Sequence, residues 1–122
     1  MAEFTIRPYG DPILRAKGDP VKEFGPALRS LGDAMLSAMK TAKGIGLAAP
    51  QVGLSLQLFV MNVHDEDFLP VLDGKARQPE EIMPMLLANA TVTVPAGEPD
   101  TYTEGCLSFP GITGDVERVE RA

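Results

Sequence analysis

Glu104-Gly105-Cys106-Leu107-Ser108-Phe109-Pro110 is the stretch from which this chain is best read. It carries the protein's single cysteine. Gly105 and Pro110 bracket that thiol and predict a turn, not a helix. Leu107 and Phe109 would pin the turn to a core. A lone cysteine has three uses: buried filler, free nucleophile or metal ligand. Free cysteine is among the most buried residue types and packs like a small hydrophobe. Composition alone therefore favours filler.

A second stretch bears on the choice: Gly44-Ile45-Gly46-Leu47-Ala48-Ala49-Pro50-Gln51-Val52-Gly53. Glycines at 44 and 46 let the backbone lie close to a ligand. Ala48 and Ala49 keep the segment thin, and Gln51 offers both a donor and an acceptor. A plain helix-to-strand connection with an exposed Gln51 fits these residues equally well.

Taken together, the two stretches resemble the peptide deformylase family. That family carries G-x-G-x-A-A-x-Q, then E-G-C-L-S, then a helix with H-E-x-x-H. Here the first motif is Gly44, Gly46, Ala48, Ala49 and Gln51. The second is Glu104, Gly105, Cys106, Leu107 and Ser108, in the same order along the chain. The third motif does not occur in the sequence. The resemblance covers Phe4 to Arg121.

The resemblance implies an enzyme that hydrolyses the formyl amide of an N-formyl-methionyl peptide, a nascent chain at the ribosome. Its cofactor would be a divalent metal: Fe2+ natively, with Ni2+, Co2+ or Zn2+ as substitutes. Cys106 would be the metal ligand present here, and the two histidine ligands and the general-base glutamate are absent. Gln51 and the backbone N–H of Leu107 would donate to the formyl oxygen. Gly44, Ile45 and Gly46 would hold the peptide, and Glu104 would support the site. The implied fold is α+β: an N-terminal helix packed on mostly antiparallel strands, with both motifs lining one groove and the C-terminal motif helix lacking. Residues 1–122 are then expected to form one deformylase-like domain, truncated relative to the family, with an apolar surface left uncovered. Weak metal binding and no activity are expected of the chain alone. The alternative is a non-catalytic relative that binds methionyl peptides or a partner supplying the missing helix. A third reading, outside the family, is a small α+β domain with a redox-sensitive thiol.

Composition limits the other classes. A formal charge of -6 argues against nucleic-acid binding, which normally needs a basic face. It also disfavours an anionic membrane surface. No apolar run approaches the roughly 18 residues of a spanning helix, and Met1-Ala2-Glu3-Phe4 does not look like a signal peptide. One cysteine cannot form an internal disulfide. A cytoplasmic, reducing location is expected.

Around the motifs, apolar periodicity sets the elements. Phe4 to Tyr9 reads as extended, closed by Gly10-Asp11-Pro12, with Pro12-Ile13-Leu14 as a hydrophobic plug. Gly25-Pro26 opens a helix with a stripe of Leu28, Leu31, Met35 and Met39, ended by Gly44 in a left-handed conformation. Leu54 to Val63 predicts a strand buried on both faces. Leu69 to Met83 reads as a long surface loop and Met85 to Val94 as a strand. Gly111 to Gly114 predicts a turn, followed by a charged alternating segment. His64, the only histidine, stands beside Asp65, Glu66 and Asp67 and is expected to be exposed.

Overall fold

Proline at the first helical position lacks an N–H that would be unsatisfied there anyway, and helix α1 begins as that rule predicts, at Pro26. In the computed structural model, which describes residues 4–65, 67–94, 96–97 and 99–119, α1 spans Pro26–Thr41. Side chains at 99–103, 109, 110, 112 and 119 lie outside the description. Met35 and Met39 are buried, and Leu28, Leu31 and Leu36 pack beside them. Three strands follow the helix into an antiparallel sheet of order β1-β2-β5: β1 Gly46–Ala48, β2 Leu58–Met61 and β5 Met85–Ala88. The register aligns Leu47 with Val60 and Val60 with Leu86. Leu47, Val60 and Met35 share one buried core with Leu58, Val52 and Ala49. The helix comes close to the sheet at Gly32, where a Cβ would stand 2.7 Å from Leu86 Cδ2. The expected α+β arrangement, a helix on antiparallel strands, is the one observed.

The end of α1 differs in detail from expectation. The left-handed residue is Lys43, at φ 61°, not Gly44. The helix stops at Thr41, so the reversal falls one residue earlier. Lys43 N–H donates to the Lys40 carbonyl at 3.0 Å and Gly44 N–H to the Met39 carbonyl at 2.9 Å. These are the paired bonds that close a helix around a left-handed residue.

Other boundaries also move. The strand expected over Leu54 to Val63 contracts to β2, and its second face is only half covered at Phe59 and Met61. Leu69 to Met83 is not a plain loop. It contains a small hairpin, β3 Val71–Leu72 with β4 Lys75–Ala76, and a short helix α2 over Pro79–Ile82. The hairpin turns at Asp73-Gly74, both at positive φ (53° and 79°). Asp-Gly suits such a turn because both central residues must be left-handed. The strand expected to Val94 stops at Ala88. Strands β6 Pro99–Cys106 and β7 Phe109–Val119 form a long hairpin. The turn expected at Gly111 to Gly114 lies inside β7. Between the pairs Gly105↔Thr113 and Cys106↔Phe109 the register shifts, and residues 110–112 are taken up as a bulge with Gly111 at φ 77°.

Asn89 explains why β5 ends where it does. It adopts φ 56°, a left-handed conformation that asparagine tolerates better than most residues. From there its Oδ1 accepts the Val21 N–H at 2.8 Å and its Nδ2 donates to the Val21 carbonyl at 2.9 Å. This two-point clasp ties the segment before α1 to the sheet. Asn89→Ala strips both partners from buried Val21. The expected loss is about 1–3 kcal/mol, measured by urea unfolding. Asn89→Gly fits the backbone but cannot make the clasp. It should lose nearly as much, which separates hydrogen bonding from backbone strain.

Candidate functional site

Two segments 55 positions apart meet at the tip of the β6–β7 hairpin. Residues 49–52 form a 310 turn directly after β1, which carries Gln51 out of the sheet. The Gln51 Oε1 accepts the Ala48 N–H at 2.9 Å. Only oxygen can accept there, so the amide orientation is set and Nε2 faces the hairpin. Nε2 donates to Ser108 Oγ at 3.1 Å and, in a long and weaker bond, to Cys106 Sγ at 3.7 Å. Cys106 is the last residue of β6, at the edge of the turn made by Leu107 and Ser108. Its thiol is free and exposed. It is therefore not the buried filler that composition alone favours.

The N-terminal segment joins the same two pieces from outside. Arg7 N–H donates to the Gln51 carbonyl and Tyr9 N–H to the Ser108 carbonyl, each at 2.6 Å. One short extended stretch thus fastens the 310 turn and the hairpin tip together. Pro12–Leu14 forms a 310 turn whose Ile13 and Leu14 are half-buried. The expected plug is thus only partly enclosed.

Leu107 anchors the tip. Its side chain packs against the core and covers the bare Cα of Gly44. A Cβ at Gly44 would stand 2.5 Å from Leu107 Cδ1, closer than nonbonded carbons approach. Gly44 thus makes room for a side chain of its own chain. At Gly46 a Cβ would meet only the Val60 carbonyl oxygen, at 3.8 Å, and the residue is exposed. Ile45 is 67% exposed, and its carbonyl accepts the Asn62 N–H at 2.9 Å. β1 is an edge strand, so Ile45 and Gly46 border open space. Phe109 was expected to pin the turn alongside Leu107, but its side chain lies outside the described residues.

Among the described residues, no hydrogen bond joins Glu104 to this group. It makes a two-pronged pair with Arg118 across the hairpin, both bonds at 2.8 Å. The Arg118 hydrogen bond, more than its charge, holds the Glu104 carboxyl below its ordinary value. A depressed carboxylate contributes above its unfolded pKa, and that contribution disappears as pH falls through the folded value. The pair is therefore intact at neutral pH and opens in acid. Arg118→Gln should move the Glu104 titration upward, read from its carboxyl carbon by NMR. Arg118 carries no signal of this role in the sequence, because the pairing follows from the register of two strands and not from spacing. His64 is exposed and lies in the irregular segment after β2. Among the described residues, no three His, Cys, Asp or Glu side chains converge as a metal site. Two grooves of about 510 and 640 Å³ flank α1, and neither is lined by Gln51, Cys106 or Leu107. No helix among the described residues is long and apolar enough to cross a membrane.

Comparison with known proteins gives one answer. The polypeptide deformylase family model matches residues 4–122. A peptide deformylase of Opitutus terrae is 46% identical over 114 residues, covering 90% of this chain and 59% of the relative. One from Thermus thermophilus is 42% identical over 123 residues, covering 97% of this chain and 60% of its own length. The chain thus spans about three fifths of the curated relatives it matches. Among solved structures, the peptide deformylase of Thermotoga maritima superposes with a TM-score of 0.77 at 34% identity, covering 98% of this chain and 69% of that one. A plant peptide deformylase gives 0.78 at 38% identity, covering 98% and 58%. Sequence match, superposition and the meeting of two distant motifs agree, and the chain belongs to the polypeptide deformylase family.

Proposed function

We propose that the protein carrying this chain hydrolyses the formyl amide of N-formyl-methionyl peptides, and that this chain supplies the carbonyl-binding half of the site. The observation that carries the reading is the Gln51 amide, fixed by Ala48 and Ser108 with its Nε2 within 3.7 Å of the Cys106 thiol sulfur. A donor held there can stabilise a carbonyl oxygen as it gains negative charge. One such donor is typically worth about 3 kcal/mol of transition-state stabilisation. The backbone N–H of Leu107, the next residue at the tip, is the second donor of the reading.

The free edge of β1 supports the substrate side. An extended peptide can add to an exposed strand edge through main-chain hydrogen bonds. Gly46 leaves that edge uncluttered, and Ile45 offers apolar surface beside it. Glu104 acts at a distance, bracing the hairpin through Arg118.

A divalent metal, iron in the first instance, is the cofactor implied by family membership. The described residues provide one candidate ligand, Cys106, and one thiolate does not make a site. They do not fit a metal by themselves, so the steps assigned to this chain are carbonyl binding and peptide alignment. The cellular reading is processing of nascent chains in the cytoplasm.

Binding tests this directly. A formyl-methionyl peptide titrated into the labelled chain should perturb backbone signals of residues 44–51 and 104–110. Gln51→Ala should lose about 1–3 kcal/mol of that binding, the usual cost of an unpaired polar group. Perturbations confined to distant residues would refute the assignment.

A further inference from the structure

We propose that Ser108 is a positioning residue: its hydroxyl fixes the Gln51 amide so that the remaining Nε2–H is presented on the Cys106 side. The inference rests on the reading of Gln51 as the carbonyl donor and names what holds that donor in place.

A glutamine side chain has three rotatable bonds, and its terminal torsion is broad. Left alone, it would sample many orientations, and a donor that must be ordered during binding costs affinity. Here the amide is held at both ends. Oε1 is tied to the Ala48 N–H and Nε2 to Ser108 Oγ. The first bond decides which end is nitrogen. The second uses one of the two Nε2 hydrogens, which leaves the other for the Cys106 side, where it makes a long contact of 3.7 Å to Sγ, a weak acceptor that a substrate carbonyl can displace.

Ser108 is the buried polar residue of the described chain, at 6% exposure. Burying a hydroxyl without a partner is costly, and the Gln51 amide supplies that partner. The backbone at 108 has a separate role, since its carbonyl accepts the Tyr9 N–H. Replacing the side chain leaves that bond in place. A hydroxyl deletion therefore reaches the amide without cutting the strap that holds the hairpin tip.

The test uses the full 15N-labelled chain. The Gln51 side-chain NH2 pair is assigned by its disappearance in Gln51→Ala. In Ser108→Ala that pair should shift and its two proton signals should draw together, with backbone amides away from the tip unchanged. Ser108→Thr, which keeps a hydroxyl, should restore the pair. Titration with formyl-methionyl-alanine should show roughly tenfold weaker binding in Ser108→Ala, the scale of one lost hydrogen bond. In a Gln51→Ala background the same substitution should cost nothing more. An unchanged Gln51 pair in folded Ser108→Ala overturns the proposal. So does an equal loss of binding with and without Gln51, which would mark Ser108 as merely structural. If the unmutated chain binds no formyl peptide, the functional reading fails, and the NH2 signals still decide the role of Ser108. Should Ser108→Ala not fold, Ser108→Cys leaves no cavity, replaces the oxygen by a larger and weaker acceptor, and carries the same comparison.

Discussion

Supplied with a formyl-methionyl peptide and iron, nickel or zinc under reducing conditions, this 122-residue chain by itself is expected to release no formate. On the proposed reading Gln51 and Leu107 hold a carbonyl, but hydrolysis also needs an activated water and a proton for the leaving amine. No pair of histidines four apart exists in the sequence to aim a general base at a metal-bound water. His64 is exposed, in the irregular segment after β2. Glu104 is committed to Arg118. General acid–base assistance is worth roughly 10²–10⁴ in rate, and losing the metal-bound nucleophile should cost more. A chimera extended by the H-E-x-x-H portion of a related deformylase should turn over. Activity of the short chain that survives repurification and vanishes in Cys106→Ala would overturn the prediction. A folded but inactive chimera would count against this chain's share of the site, and peptide binding without turnover would favour a non-catalytic binder.

The largest stability effect is expected at Met35. It is fully buried and shares a core with Leu47, Leu58 and Val60. Met35→Ala removes most of a side chain that close packing cannot replace. Such truncations cost about 2–5 kcal/mol, through lost transfer energy and the cavity left behind. A domain of this size has roughly 5–15 kcal/mol to lose. Urea unfolding should show a lower midpoint with the slope retained. Phe24→Ala is the control: its side chain is 66% exposed, and its effect should stay within about 0.5 kcal/mol. The loss at Met35 should also reach the site, because the core it shares includes Leu47 of β1 and Ala49 and Val52 of the turn that carries Gln51. A change below about 1 kcal/mol would show that neighbouring side chains collapse into the space.

Local rules carried the reading wherever the cause was local. Pro26 and the stripe through Met35 and Met39 defined α1, because periodicity and a proline's missing N–H act within a few residues. The two motifs marked Gln51, Cys106 and Leu107 as candidates, because their residue types and order are visible in the chain. Asp73-Gly74 was equally legible as a turn signal, yet the stretch read as loop because its flanking strands are only two residues each. Other features had no local cause to read. β5 stops at Asn89 because that side chain finds Val21, 68 positions earlier. Gly44 is bare because Leu107 lies over it, 63 positions later. Glu104 meets Arg118 only once the hairpin register is set, and the bulge at 110–112 replaces an expected turn because the longer strand must absorb three residues. The sequence by itself determined helix α1, the family and the chemical types at the site. Tertiary structure decided which atom of Gln51 faces Cys106, since a fixed backbone N–H at Ala48 and a buried hydroxyl at Ser108 converge on one amide only in the folded chain.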